Sequence, residues 1–296
     1  MKTITNSRFL WAVCALVCVL LAPSAVSIVR GQGQPIPQGR GLIRDTDDGI
    51  KYARGQNVVP VFEGWVANPD GTYGLIFGSW NRNWEEKMSI PIGPDNHIEP
   101  GPQDQGQPTF FYPRRGKSLF EITVPKDFGK KEVVWTLVSR GKTEKAYGAL
   151  VPQEVLTRRM VITGGSLNDA AAAGNDDQGD ERDPNKQPAV TFDPVQPVSL
   201  PGRGMISANV TDDGLPKPTP GRGGGRGARG LRVDWSVYRG PAPVTFDPPT
   251  SPAPAPTGGK VSTTATFKAP GTYVLRAKAI DGGGMEANKD VTVSVK

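Results

Sequence analysis

The chain has 296 residues, with 35 Lys and Arg against 29 Asp and Glu, a net charge of +6, and 37 Gly and 29 Pro. That length holds two ordinary domains at about 150 residues each. The Gly and Pro content, with no sustained helical apolar period, excludes a helical bundle and points to many short strands and long turns. The mild basic excess favours contact with acidic polymers or envelope surfaces and most simply means a soluble surface; no nucleic-acid partner is expected of an exported chain.

Residues 1–27 have the pattern of a secretory signal peptide. Lys2 and Arg8 give a positive start, an uncharged apolar run follows, Pro23 and Ser24 break it, and Ala25-Val-Ser27 offers a small-x-small cleavage site. The apolar run is short for a membrane span, which needs about 20 residues; an uncleaved anchor is the other reading. Both cysteines, Cys14 and Cys18, lie inside this run. An exported, cleaved chain therefore has no thiol chemistry and no Cys-ligated zinc, and holds together by core burial without disulfides. No stable membrane span is expected after cleavage.

Residues 28–56 are poor in apolar side chains and read as a flexible lead. A first β-sandwich is expected over 57–157. A strand from Val58 and a return from Thr72 flank the turn signal Asn68-Pro-Asp-Gly71. The Pro- and Gly-rich stretch 90–108 reads as one long irregular loop. Phe110-Phe-Tyr112 is a short aromatic strand, Leu119 to Val124 alternates, and two further strands flank Arg140-Gly-Lys142 as a hairpin. Residues 158–186 read as a linker, because the Ala-, Asp-, Asn- and Gly-rich part after Leu167 has little to bury. The second domain, 187–296, carries two insertions, 216–230 and 247–259, both expected as exposed loops. Val-Thr-Phe-Asp-Pro occurs at Val190 and again at Val244, too short to define a repeat.

The most informative stretch is Thr263-Thr-Ala-Thr-Phe-Lys-Ala-Pro-Gly-Thr-Tyr-Val-Leu-Arg-Ala-Lys-Ala-Ile-Asp-Gly282. From Tyr273 the side chains alternate: Tyr273, Leu275, Ala277 and Ala279 share one face, and Val274, Arg276, Lys278 and Ile280 the other. Ala269-Pro-Gly-Thr272 supplies a corner, and a Tyr opening the next strand suits a tyrosine corner. Together with Val210-Thr-Asp-Asp-Gly-Leu-Pro216, Leu231-Arg-Val-Asp-Trp-Ser-Val237, Arg239-Gly-Pro-Ala-Pro-Val-Thr-Phe246 and Asp290-Val-Thr-Val-Ser-Val295, it resembles a bacterial PKD-type (polycystic-kidney-disease-like) immunoglobulin-like domain. The resemblance covers roughly the last third of the chain. It implies a non-catalytic extracytoplasmic module and names no ligand. The first domain resembles uncharacterised secreted bacterial β-domains, which adds no activity. The expected fold class is all-β: two immunoglobulin-like sandwiches joined by a flexible linker.

Candidate chemistry is sparse. His97 is the only histidine, beside Asp95 and Glu99, and with no second histidine and no Gly-x-Ser-x-Gly elbow it reads as a loop residue. Glu85-Glu86, Asp176-Asp177 and Asp212-Asp213 are adjacent pairs, and adjacent strand residues face opposite ways, so none builds an acid/base pair. Asp212, Asp213 and Asp281 read as turn formers, with calcium as the open alternative. The Arg-Gly run 222–230 lacks the strand and helix of a phosphate-binding loop and reads as a flexible loop. The remaining clue is a group of aromatic and cationic residues, Trp80, Arg82, Trp84, Tyr112 and Arg114, whose rings and donors suit a sugar or peptide. The competing reading makes Trp80 and Tyr112 core or loop anchors. Trp65, Trp135 and Trp235 read as core. The expected role is binding or spacing by an exported protein, without a cofactor. The expected partner is an envelope protein or a polysaccharide; a carbohydrate-binding module in the first domain and an accessory subunit of an envelope complex are the specific alternatives.

Overall fold

A computed structural model describes residues 51–164, 184–215 and 230–296. The signal segment, most of the lead, Asp176-Asp177 and the Arg-Gly run lie outside the described residues. The regular secondary structure of the described residues is nearly all strand and forms two stacked-sheet units.

In the first unit, β1 (Val58–Ala67), β2 (Tyr73–Asn81) and β6 (Arg114–Val124) form one sheet. A second sheet contains β4 (Asn96–Glu99), β7 (Val133–Ser139) and β8 (Lys142–Gly148), and β3 (Met88–Ser89) pairs with β5 (Phe110–Phe111). The β1–β2 turn forms as expected, with Gly71 N–H donating to Asn68 O at 3.0 Å and Gly71 at φ +85°. The β7–β8 hairpin turns on Arg140 and Gly141, at φ +52° and +72°, the backbone a two-residue type I′ loop requires. Between the sheets, Trp135 is fully buried against Phe77, Phe111 and Phe120, with ring centroids 6.2, 6.3 and 5.0 Å away.

Residues 90–108 are not one irregular loop: β4 lies inside them and pairs with β7. Asn96 and Ile98 are its buried face, and the Pro and Gly around so short a strand mask that alternation. Asn96 is a hub, donating to Ile90 O and Pro108 O at 2.9 Å and accepting from Trp135 Nε1 at 3.0 Å.

In the second unit, one sheet runs in the order β12 (Thr245–Asp247), β14 (Gly258–Thr266), β10 (Arg203–Thr211), β9 (Ala189–Phe192). The other runs β13 (Thr250–Pro252), β11 (Arg232–Arg239), β15 (Gly271–Ile280), β16 (Glu286–Val295). The two Val-Thr-Phe-Asp-Pro segments supply β9 and β12, the opposite edges of one sheet. Tyr273, Leu275, Ala277 and Ala279 are all fully buried, as the alternation predicts. The tyrosine corner is present, with Tyr273 Oη donating to Ala269 O at 2.9 Å. The stretch 247–259 is not wholly an exposed loop. β13 pairs with β11, and Ser251 is buried, accepting from Trp235 Nε1 at 2.9 Å and donating to Ser262 O at 2.8 Å.

The two sandwiches are stitched together by β5. Successive strand residues point to opposite faces, so Phe111 enters the first core while Phe110 enters the second. Around it, Thr109 N–H donates to Tyr238 O at 3.2 Å, Val237 N–H to Tyr112 Oη at 3.0 Å, and Tyr238 Oη to Gly106 O at 2.5 Å. Arg239 forks onto Asp104 at 2.7 and 2.9 Å. Residues 152–162 add a 3₁₀ turn and a short helix (Arg158–Ile162), which close the outer face of β2 through Leu156 over Val66 and Ile76. The described residues from 51 onward accordingly form one compact unit.

Candidate functional site

Trp80 is the next-to-last residue of β2, and the chain turns after Asn81 through Asn83. Both Asn side chains are fully buried and tie the turn inward: Asn81 Nδ2 donates to Glu86 O at 2.7 Å and Asn83 Nδ2 to Gln56 O at 2.8 Å. This fixed turn presents Trp84 outward, and Trp84 N–H donates to Tyr52 O at 2.9 Å, which brings residues 51–54 alongside. Arg114 opens β6, opposite Asn81 in the ladder, with φ +71°.

The result is an exposed cluster. Trp80 and Trp84 keep 39% and 37% of their surface in solvent, large fractions for such rings. The Arg114 guanidinium lies 4.2 Å from the Trp84 ring centroid and 5.8 Å from that of Trp80, and Lys51 Nζ lies 4.5 Å from Trp84. Both are within cation–π range.

Of the sequence candidates, the structure gathers Trp80, Trp84 and Arg114. Arg82 is exposed on the same turn, its Nη1 3.5 Å from Asn57 Oδ1. Tyr112 goes elsewhere. Its ring packs edge-on against Phe110 at 5.3 Å, its hydroxyl accepts from β11, and burial pushes its phenol above the usual range. Its place is the seam between the sandwiches. Lys51 was hidden from sequence reasoning because it sits in a stretch that reads as lead; the adjacent Tyr52 was the available signal.

The other candidates are accounted for locally. His97 is not a loop residue: it lies in β4, paired with Thr136 of β7, and its Nδ1 is 3.0 Å from Pro94 O in the turn just before that strand. Glu86 accepts from Gly55 N–H at 2.8 Å and pairs with Arg140. Asp212 and Asp213 accept from Gly214 and Leu215 N–H at 3.0 and 2.9 Å, the turn role expected of Asp. Burial, with Asp213 and Asp281 nearby, holds the Asp212 carboxyl above its ordinary range. Asp281 is fully buried and accepts from Met285 N–H and Asn185 Nδ2, both at 2.8 Å. No cluster of His, Cys, Asp or Glu suited to a metal occurs among the described residues.

A cleft of about 220 Å³ also opens along the seam, lined in part by Tyr112, Leu119, Tyr238, Arg276 and Lys278. Its cations are engaged. Arg276 forks onto Asp290 at 2.8 and 2.9 Å, donates to Leu119 O at 2.7 Å and stacks 3.6 Å from the Tyr238 ring centroid, while Lys278 pairs with Glu286 at 3.0 Å. Burial beside these groups pushes the Tyr238 phenol up to about 12.

No family model and no curated protein matches the chain. Among solved structures, a PKD domain of an M14-like peptidase from a Thermoplasmatales archaeon is 21% identical, covering 38% of this chain and 96% of its own, with a TM-score of 0.22. Domains 4 and 5 of the S-layer protein SbsC are 10% identical over 81% of this chain and 98% of theirs, TM-score 0.21. Latent PorU from Porphyromonas gingivalis is 11% identical over 81% of this chain and 24% of its own, TM-score 0.23. At these scores the functional reading rests on this chain's own residues.

Proposed function

We propose that the chain is an exported, non-catalytic binding protein that works at the cell envelope or outside the cell. The observation that carries the reading is the solvent-facing Trp80–Trp84–Arg114–Lys51 cluster, held on a turn that two buried asparagines fix. Large rings beside cations, exposed on a rigid scaffold, are the composition of a recognition surface. The leader pattern of residues 1–27 and the confinement of both cysteines to it support export. The PKD-like pattern of the last third supports an accessory module without chemistry of its own.

The test is retention of the purified chain on insoluble polysaccharides, peptidoglycan and the cell's own envelope fraction. Specific retention that falls in a Trp84→Ala, Arg114→Gln double variant is expected. Retention by none of them, or retention indifferent to the double variant, overturns the reading.

A further inference from the structure

We propose that this cluster is a site for acidic polysaccharide, with Arg114 and Lys51 receiving the carboxylates and Trp80 lying under a sugar ring; the proposal rests on the binding reading above. Its first support is charge. Three other arginines of the same sandwich are paired with carboxylates: Arg115 with Glu63 at 2.7 Å, Arg158 with Glu121 at 2.6 Å, and Arg140 with Glu86. Arg114 and Lys51 form no such pair among the described residues; their neighbours are indole rings. A cation that rests on an uncharged ring and forms no ion pair among the described residues keeps its charge for a ligand, and the site selects an anion.

The second support is geometric. An arginine stacked on a ring leaves its N–H edge free, and that planar fork matches a carboxylate bidentately. Arg114 also holds φ +71°, a backbone state in which glycine carries no penalty and an L side chain costs energy. The guanidinium is thus the return on a backbone strain that no paired carboxylate accounts for.

The third support separates a glycan from an acidic peptide. Lys51 and Arg114 both sit close to Trp84, so that ring is a mount for cations and not an open platform for a neutral sugar. Trp80 is more open, with Arg114 5.8 Å from its centroid. A pyranose ring offers a flat C–H face to such an indole and, in a uronic acid, carries its carboxylate from the same ring; an acidic side chain on a peptide brings no flat face with it. Arg82 is exposed on the same turn, between Trp80 and Trp84 in sequence, and adds a further positive charge to it.

Isothermal titration with polygalacturonate and with its fully methyl-esterified form tests this, since esterification removes the charge and leaves the sugar rings and their linkages in place. The expected result is binding of the acid form that weakens steadily with added salt, and at least tenfold weaker binding of the ester. Arg114→Gln should weaken binding about tenfold, Arg114→Lys should recover part of it, and Trp80→Ala should weaken it while leaving the melting temperature in place. Lys131→Gln, which removes one charge from the turn before β7, should leave binding unchanged. Equal affinity for both polymers, or equal losses in Arg114→Gln and Lys131→Gln, overturns the acidic-glycan assignment and leaves the binding reading standing. The same holds for retention by envelope proteins alone. Retention by nothing overturns both.

Discussion

Phe110 belongs by sequence to the first domain and by packing to the second, and Phe110→Ala measures that assignment. The ring is only 4% exposed and lies in the core with Trp235, Val237 and Tyr273. The backbone that carries it is pinned on both sides, by the β3 ladder and by Thr109 N–H on Tyr238 O at 3.2 Å, so the cavity has little room to collapse. A buried Phe→Ala change costs about 3–5 kcal/mol, and a site that cannot relax belongs near the middle or top of that range. A loss of about 4 kcal/mol corresponds to roughly a thousandfold rise in the opening equilibrium of dependent amides. Hydrogen exchange read by mass spectrometry locates the loss. Peptides covering β11 and β15 should lose protection, although the substitution lies more than a hundred residues upstream of them. Loss confined to β1, β2 and β7, with β11 and β15 unchanged, would refute the shared-strand account.

Tyr112→Phe keeps the ring and removes the acceptor for Val237 N–H; a buried donor left unpaired costs about 1–3 kcal/mol, and urea denaturation should show it while acidic-glycan binding stays unchanged. Tyr273→Phe removes the corner bond to Ala269 O and should cost about 1 kcal/mol by the same measurement. Glu63 gives a pH signature. Burial, outweighing Arg115 and Lys117, raises its carboxyl above 4.5. A raised carboxyl favours folding below its unfolded value and loses that contribution as pH rises through the folded one. Glu63→Gln, neutral throughout, should therefore gain on the wild type between pH 4 and pH 7 in denaturation midpoints; a gain that shrinks over that interval would reverse the sign and sink the argument.

The second sandwich was legible because its signals are local. Alternation from Tyr273 and the Ala-Pro-Gly-Thr corner need no partner to be read, and both appear as buried strand and hydroxyl-to-carbonyl bond. β4 was not legible. Its four residues include only two buried ones, and what makes them a strand is pairing with β7, some forty residues on. The candidate site shows the same division. Trp80, Trp84 and Arg114 could be named from their type and neighbourhood, yet Lys51 joins them through bonds from Trp84, Glu85 and Glu86 N–H to Tyr52 O and Ala53 O, contacts with no sequence pattern. Tyr112 was named for its chemistry and placed by its packing. Three consecutive aromatics, Phe110-Phe-Tyr112, did contain a hint. A strand cannot bury all of them on one face, so at least one needed a second core.

That shared strand changes how the binding site must be tested. The natural experiment on a two-sandwich protein is to cut between the sandwiches and ask which half binds. Here the cut at 164 would leave Phe110 and Tyr112 facing water, and would strip Gly106 O, Asp104 and Leu119 O of the donors that Tyr238, Arg239 and Arg276 supply. An exposed aromatic pair on a short strand is an adhesive surface, not a neutral end. Residues 51–164 alone should therefore show increased binding of a hydrophobic dye such as ANS and a lower denaturation midpoint than the same sandwich within the full chain. A truncated sandwich that fails to bind ligand would then report on its own fold, and only point substitutions at Trp80 and Arg114, made in the intact chain, separate recognition from stability. If residues 51–164 prove as stable as the intact chain and bind no dye, the two cores are independent after all, and the seam is a contact without energetic consequence.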